Sequence, residues 1–365
     1  MKNLLLLLLV FTAGCESIAY YSQAIRGQLG LMSAARPVDA WLADPATPQE
    51  LRGRLQSAQR IRDFASQRLA LPQNGSYSSY ADLGRPYVVW NVYAAPRFAV
   101  EAKQECFPFT GCVSYRGFFS EEEARKQAAR LRSEGYDVYL GGVPAYSTLG
   151  WFDDPLLSTF IQYPDVQLAR LVFHELAHQR VYAKNDTTFN ESFATAVERL
   201  GGERWLRTQA DEKARQDYAA YDGRRRLFRE LSRSTRERLK ELYETPGMAP
   251  DAKEEAKRKA MEQFRVEYAQ MKERAGGDAT VWRGYDRWVR EANNAFFGAQ
   301  AAYDELVPGF EALFEREGED WPRFYAAVKR LAEMPKAERR QALRTQAAPA
   351  TAGAPATQQQ GGQGG

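Results

Sequence analysis

Residues 173–178 read Phe173-His174-Glu175-Leu176-Ala177-His178, and Asn190-Glu191-Ser192-Phe193-Ala194-Thr195 follows, with Glu198 just beyond. The first stretch holds the only 2 histidines of the 365-residue chain. Four residues is just over one helical turn, so both imidazoles leave one face of a helix and can grip a single metal ion. Glu175 is offset from that line. It stands beside such an ion rather than on it, where a base takes a proton from an attacking water. Leu168, Leu171 and Val172 give the helix its apolar approach, Asp165 caps it, and the pattern predicts helix to about Lys184. The competing structural reading is a pair of histidines satisfied on a helix surface.

The chain ends bear on which further ligands are available. Lys2, the apolar run Leu4 to Val10 and the small residues Ala13-Gly14 form a targeting segment. It is too short to span a bilayer, which takes roughly 20 apolar residues. Ala13-Gly14-Cys15 after a leucine-rich run resembles the bacterial lipoprotein signal, with Thr12 where leucine is usual. That resemblance implies a lipid on Cys15 and residence in the cell envelope. Glu16 after the cysteine favours the outer membrane, facing the periplasm. An ordinary secretory signal with an incidental cysteine is the alternative, and either one exports the chain.

Of the 3 cysteines, Cys106 and Cys112 remain, and Pro108 and Gly111 make a turn between them. In an oxidising compartment a disulfide is expected. A pair of thiolates on a metal is the other reading, but further cysteines and nearby histidines are lacking. The formal charge of +3 becomes +2 once Lys2 leaves with the signal, and 50 basic and 47 acidic residues are interspersed. No nucleic-acid footprint is visible.

Catalytic zinc usually has three protein ligands and an open position. With no third histidine and the cysteines paired, a carboxylate has to complete the set. Glu191 opens a second helix, expected over residues 189–200 and stopped by Gly201-Gly202. The loop Asn185-Asp186-Thr187-Thr188 lets that helix turn back across the first. Glu198 is the fallback ligand. Thr195 and Glu198 share a face with Glu191 and are candidates to orient the ligating imidazoles.

The rest of the chain divides by composition into a signal (1–14), N-terminal helices (15–86), a core (87–202), a charged helical region packing on it (203–345) and a tail (346–365). Ser17 to Ala35 and Pro48 to Leu71 read as amphipathic helices. Residues 87–93, with 98–102 as a possible continuation, 113–115 and 136–140 read as short strands closed by Gly141-Gly142. A helix from Ser120-Glu121-Glu122-Glu123 crosses them. Trp151-Phe152 is expected in the core, and Asp153-Asp154 caps a turn or binds a substrate amine. Asn293-Asn294 could reach the cleft. Residues 203–275 read as a long hairpin with solvated, arginine-rich faces, partner or cell-wall binding being the lesser reading. Residues 347–365, of Ala, Pro, Thr, Gln and Gly, read as a disordered tail. The fold class is α+β, predominantly α.

His-Glu-x-x-His with Asn190-Glu191-Ser192-Phe193-Ala194-Thr195 and Glu198 resembles the gluzincin metallopeptidases, although the spacing is shorter than in membrane alanyl aminopeptidases. With Cys106 to Cys112, Tyr115-Arg116-Gly117-Phe118-Phe119 and Ser147 to Pro155, the chain resembles a bacterial lipoprotein family of zinc aminopeptidases. The likeness covers most of residues 15–345 and is most specific over 87–202. It implies a zincin-like core and one Zn2+ on His174, His178 and Glu191. It also implies Glu175 as general base, a peptide substrate, and a tyrosine steadying the oxyanion, for which Tyr146 and Tyr303 are candidates. An edge strand before the metal helix lines the cleft in zincins, and Val143 to Gly150 has that place here. No amine-binding block of the alanyl aminopeptidase kind is visible. A non-enzymatic envelope scaffold on a zincin frame is the alternative function.

Overall fold

The helix pair read from the histidine stretch is present in the computed structural model, which describes residues 20–107 and 111–347. Cys15, the signal, Pro108 and nearly all of the tail lie outside those residues. In chain order the elements are α1 (20–34), β1 Arg36–Pro37, α2 Val38–Ala43, α3 Gln49–Leu69, β2 Ser79–Ala81, β3 Val89–Ala95, β4 Glu105–Phe107, β5 Gly111–Val113 and β6 Arg116–Phe118. Next come α4 Glu121–Ser133, β7 Asp137–Val143, β8 Leu156–Leu157, α5 Asp165–Arg180, α6 Thr187–Gln209, α7 Glu212–Glu244 and α8 Pro250–Ala275. The chain finishes with α9 Ala279–Glu291, α10 Asn294–Asp304, α11 Val307–Arg316, α12 Trp321–Glu333 and α13 Lys336–Ala347. The fold is α+β and predominantly helical. No helix among the described residues is long and apolar enough to cross a membrane.

The sheet that walls the cleft has the order β6-β3-β7, antiparallel throughout, with Trp90 opposite Gly142 and Asn91 opposite Gly141. Every residue of β3 is buried, because both faces are covered. Trp90, Val92 and Ala94 pack on Ala124, Ala128 and Leu131 of α4, while Tyr93 and Ala95 meet Ala295 and Ala299 of α10. Ser120 caps α4 by accepting from the Glu123 amide at 3.4 Å. The cysteines pair as a disulfide across the β4–β5 hairpin.

The largest core gathers α3, α5, α6 and α11 to α13. Phe64 of α3 stacks on Phe173 of α5 at 5.9 Å and meets Trp205 of α6 edge-on at 5.0 Å. Packing on several sides explains why α5 and α6 lack a single apolar stripe: they are buried almost all round.

Several expectations need correction. Helix α6 runs through Gly201-Gly202 instead of stopping there. A Cβ at Gly201 would lie 2.8 Å from Leu69 Cδ1 and 2.9 Å from Phe173 Cδ2, and one at Gly202 2.6 Å from Arg170 Cγ. These glycines are contact points between helices, not stops. Strand β7 likewise continues through Gly141-Gly142, where the Tyr87 ring takes the room a Cβ on Gly142 would need, 2.2 Å away. Residues 98–102 are not a strand. Helix α5 ends at Arg180 rather than Lys184, because both peptide groups of Ala183 are taken by the Asn190 side chain, at 2.7 and 2.9 Å. Trp151 and Phe152 are 75% and 46% exposed, not core. The turn at Leu149 and Gly150, with φ of 57° and 80°, throws both rings outward.

Candidate metal centre and its two chambers

Asn190 clasps the α5–α6 connection, and Asp186 caps α6 by accepting from the Phe189 amide at 3.3 Å. Asp186 is fully buried and also receives Arg340 of α13, at 3.1 Å through Nε. The start of α6 is thereby fixed against the end of α5, four residues before Glu191.

Glu191 faces both histidines. Its Oε2 lies 3.4 Å from His174 Nε2 and 3.6 Å from His178 Nε2, and all three residues are buried. Their ligand atoms fall within 4.8 Å of one another. Two ligands on one tetrahedral ion with bonds of about 2.0–2.1 Å stand about 3.3 Å apart, so this separation suits a shared small cation, and the donor set is one zinc accepts. Nothing in the trio identifies the ion.

Glu198 lies behind His174 rather than in the trio. Its Oε2 is 3.2 Å from His174 Nδ1, and its Oε1 is held by Arg170 at 2.8 Å, with Arg225 at 3.6 Å. This fixes the imidazole from its far side. His178 Nδ1 has no such partner among the described residues. Thr195, also buried, borders the space beside Glu198 and does not enter the trio.

Charge in the trio is balanced by proximity. Burial alone would lower the His174 pKa, but Glu191 and Glu198 outweigh it and raise it to about 10. Burial would raise Glu191, yet His178 and His174 bring it down to about 2. Burial also opposes the ionised form of Glu198, and Arg170 and His174 hold its carboxyl well below the usual range. Glu191 thus draws positive charge into the trio, as a proton or as a metal ion. Glu175 behaves oppositely. Burial pushes its pKa up, Glu191 and Asp154 add to that, and the histidines offset only part.

Two cavities open on this centre. The first, about 430 Å³, is walled by Tyr20, Phe107, Tyr115, Phe119, Tyr182 and other rings, with Val143, Ala145 and Leu149 from the end of β7 onward. The outer strand β7 therefore borders the cleft as expected, although residues 144–150 are irregular. Helix α1 closes one side: Gln28 accepts from the Tyr146 hydroxyl, and Gln23 from the Phe119 amide at 3.1 Å. The second cavity, about 420 Å³, shares His174, Glu175 and Tyr303 with the first and extends to Arg170, Glu198 and the inward side of α7.

Of the two tyrosines named from sequence, Tyr303 belongs at the centre. Its ring stacks on His174 at 6.2 Å, and burial with the nearby Glu191 charge holds its phenol protonated. Tyr146 is on the cleft wall, bonded to Gln28. Sequence reasoning missed Tyr115 and Tyr182 of the cleft, and Tyr77. Tyr77 has a left-handed backbone with φ of 66°, and its buried hydroxyl lacks a partner among the described residues. Its phenol pKa is raised by burial first and then by the charges of Glu175 and Asp154. Asp154 holds its turn by accepting from the Thr148 amide at 3.0 Å. Asn293 caps α10, and Asn294 accepts from the Tyr243 hydroxyl at 2.9 Å and donates to Arg97 O at 2.9 Å. Both asparagines are structural.

A family model described as "Putative aminopeptidase" matches residues 19–343. No curated protein and no solved structure matches the chain. The matched span takes in the trio, Glu175 and the walls of both chambers, and the chain belongs to this aminopeptidase family.

Proposed function

We propose that the protein hydrolyses peptide bonds, as a gluzincin-type aminopeptidase, with one zinc ion held by His174, His178 and Glu191 on a zincin-like core. The observation that carries this reading is the buried trio with Glu175 turned onto the same cleft. A metal site serving structure alone has no use for a free carboxylate beside it. When bound, zinc supplies Lewis acidity to the scissile carbonyl and lowers the pKa of an attacking water towards about 7. Glu175 accepts the proton of that water and returns it to the leaving amine. Burial, by raising its pKa, suits it to both transfers. Tyr303 keeps its proton beside His174 and donates to the oxygen on which charge develops. Glu198 accepts from His174 Nδ1 and keeps Nε2 aimed at the trio. Cys15 carries the lipid that holds the enzyme in the envelope, at the outer membrane and facing the periplasm.

The test is metal content and peptide hydrolysis, measured for the parent protein and for Glu175→Gln. Zinc bound to both, with hydrolysis only by the parent, supports the assignment. Hydrolysis by the variant removes Glu175 as base, and absence of metal from both removes the site. For the anchor, Cys15→Ser should shift the protein from the membrane to the soluble fraction. Retention in the membrane overturns lipidation there.

A further inference from the structure

The two chambers that share His174, Glu175 and Tyr303 differ in chemistry. The lining of the first contains no arginine, lysine or aspartate among the described residues, and its carboxylates are Glu175 and Glu191 of the centre itself. The second is lined by Arg170, Arg199, Arg225 and Arg229, with Glu198 and Asp304.

These four arginines are not equally engaged. Arg170 is buried and taken up by Glu198. Arg199 holds Asp304 at 2.5 Å. Arg225 stands 3.6 Å from Glu198 and lies over the Tyr221 ring at 5.6 Å. Arg229 has Asp304 at 3.7 Å, but that carboxylate already serves Arg199, and the Arg229 side chain keeps 21% of its exposure. Burial and the neighbouring charges of Arg199 and Arg225 both disfavour its cationic form. An anion entering the chamber would relieve that repulsion, and the guanidinium fork matches a carboxylate with two parallel hydrogen bonds.

We propose that the arginine chamber recognises a substrate carboxylate, with Arg229 and Arg225 as specificity residues. The peptide straddles the centre with an apolar side chain in the aromatic chamber. This rests on the reading of the trio as a hydrolytic centre. The carboxylate has two possible sources, the C-terminus of a short peptide or an acidic side chain, and the experiment separates them.

The probes are the tetrapeptide Phe-Phe-Ala-Glu, its C-terminal amide, its Gln analogue and the amide of that analogue, presented to the metal-loaded full chain. The parent should prefer at least one carboxylate-bearing peptide over the doubly neutral one by roughly tenfold or more in kcat/KM, chiefly through KM, since a charged hydrogen bond carries such a factor. The amide and Gln arms identify which carboxylate is read. Arg229→Gln should remove the preference and leave the neutral peptide nearly as before. Equal rates for all four peptides in the parent overturn the proposal, as does a uniform loss on all four in the variant.

Binding of the same peptides to Glu175→Gln by calorimetry reads the chamber without turnover. A carboxylate-bearing peptide bound more tightly than the doubly neutral one supports the proposal even if hydrolysis fails. Equal binding of all four peptides overturns it while leaving the hydrolytic reading intact.

Discussion

Helices α5–α6 and helices α7–α8 are both consecutive antiparallel pairs, yet they are held together differently. The first pair has aromatic and aliphatic neighbours on most sides, with glycines at the closest approach. The second carries exposed ion pairs along each helix, such as Arg258 with Glu255 and Arg233 with Glu230 and Glu237. Its buried side is a narrow stripe of Phe228, Leu239, Phe264 and Tyr268. Surface pairs of this kind contribute little, because water and side-chain entropy compete with them. The first pair therefore carries its ligand atoms on a closely packed frame. The second contributes side chains reaching inward from a largely solvated frame.

Single substitutions test this contrast. The largest effect is expected from Glu198→Ala in the first pair, which strands Arg170 in the interior. Removing one partner of a buried ion pair costs about 3–5 kcal/mol, and loss of the acceptor for His174 lowers metal affinity by about 10–100-fold. Chemical denaturation and metal titration would measure both, and a near-neutral outcome would show that Arg170 finds another partner.

Gly201→Val comes next. Its side chain would meet Leu69 and Phe173, and overpacking of this kind costs about 1–3 kcal/mol, so the melting temperature should fall by several degrees. Asp186→Ala removes the α6 cap and the partner of Arg340, with a loss of up to about 2 kcal/mol visible as a lower denaturation midpoint. Smallest is Arg258→Ala on α8, which should leave the melting temperature within measurement scatter. If Arg258→Ala lowered it as much as Gly201→Val does, the contrast between the pairs would fail.

How much of this was legible in the sequence follows the same division. The histidine stretch, the carboxylate opening the next helix, the disulfide and the capping of α4 are set by short-range spacing, which a chain displays directly. Gly201-Gly202 misleads because glycine is weak in helices and only the neighbouring helices reveal why it is needed. The arginine chamber was hidden for another reason. The inward stripe of α7 passes through Ser232 and Thr235 as well as Phe228 and Leu239, so apolar periodicity is faint. Nothing local separates Arg225 and Arg229, which line the chamber, from the many arginines facing water. The residues given to solvent on composition thus include the wall of the second chamber.

Helix α1 carries a practical consequence. Tyr20 and Tyr21 border the cleft, and Gln23 and Gln28 tie the same helix to Phe119 and Tyr146. An affinity handle fused just before residue 20 would sit at the doorway to the metal trio. A hexahistidine handle there would also crowd a protein with 2 imidazoles of its own. Placed after α13 instead, it leaves those 2 as the only histidine signals near the centre, so metal binding could be followed by proton resonance without isotopic labelling.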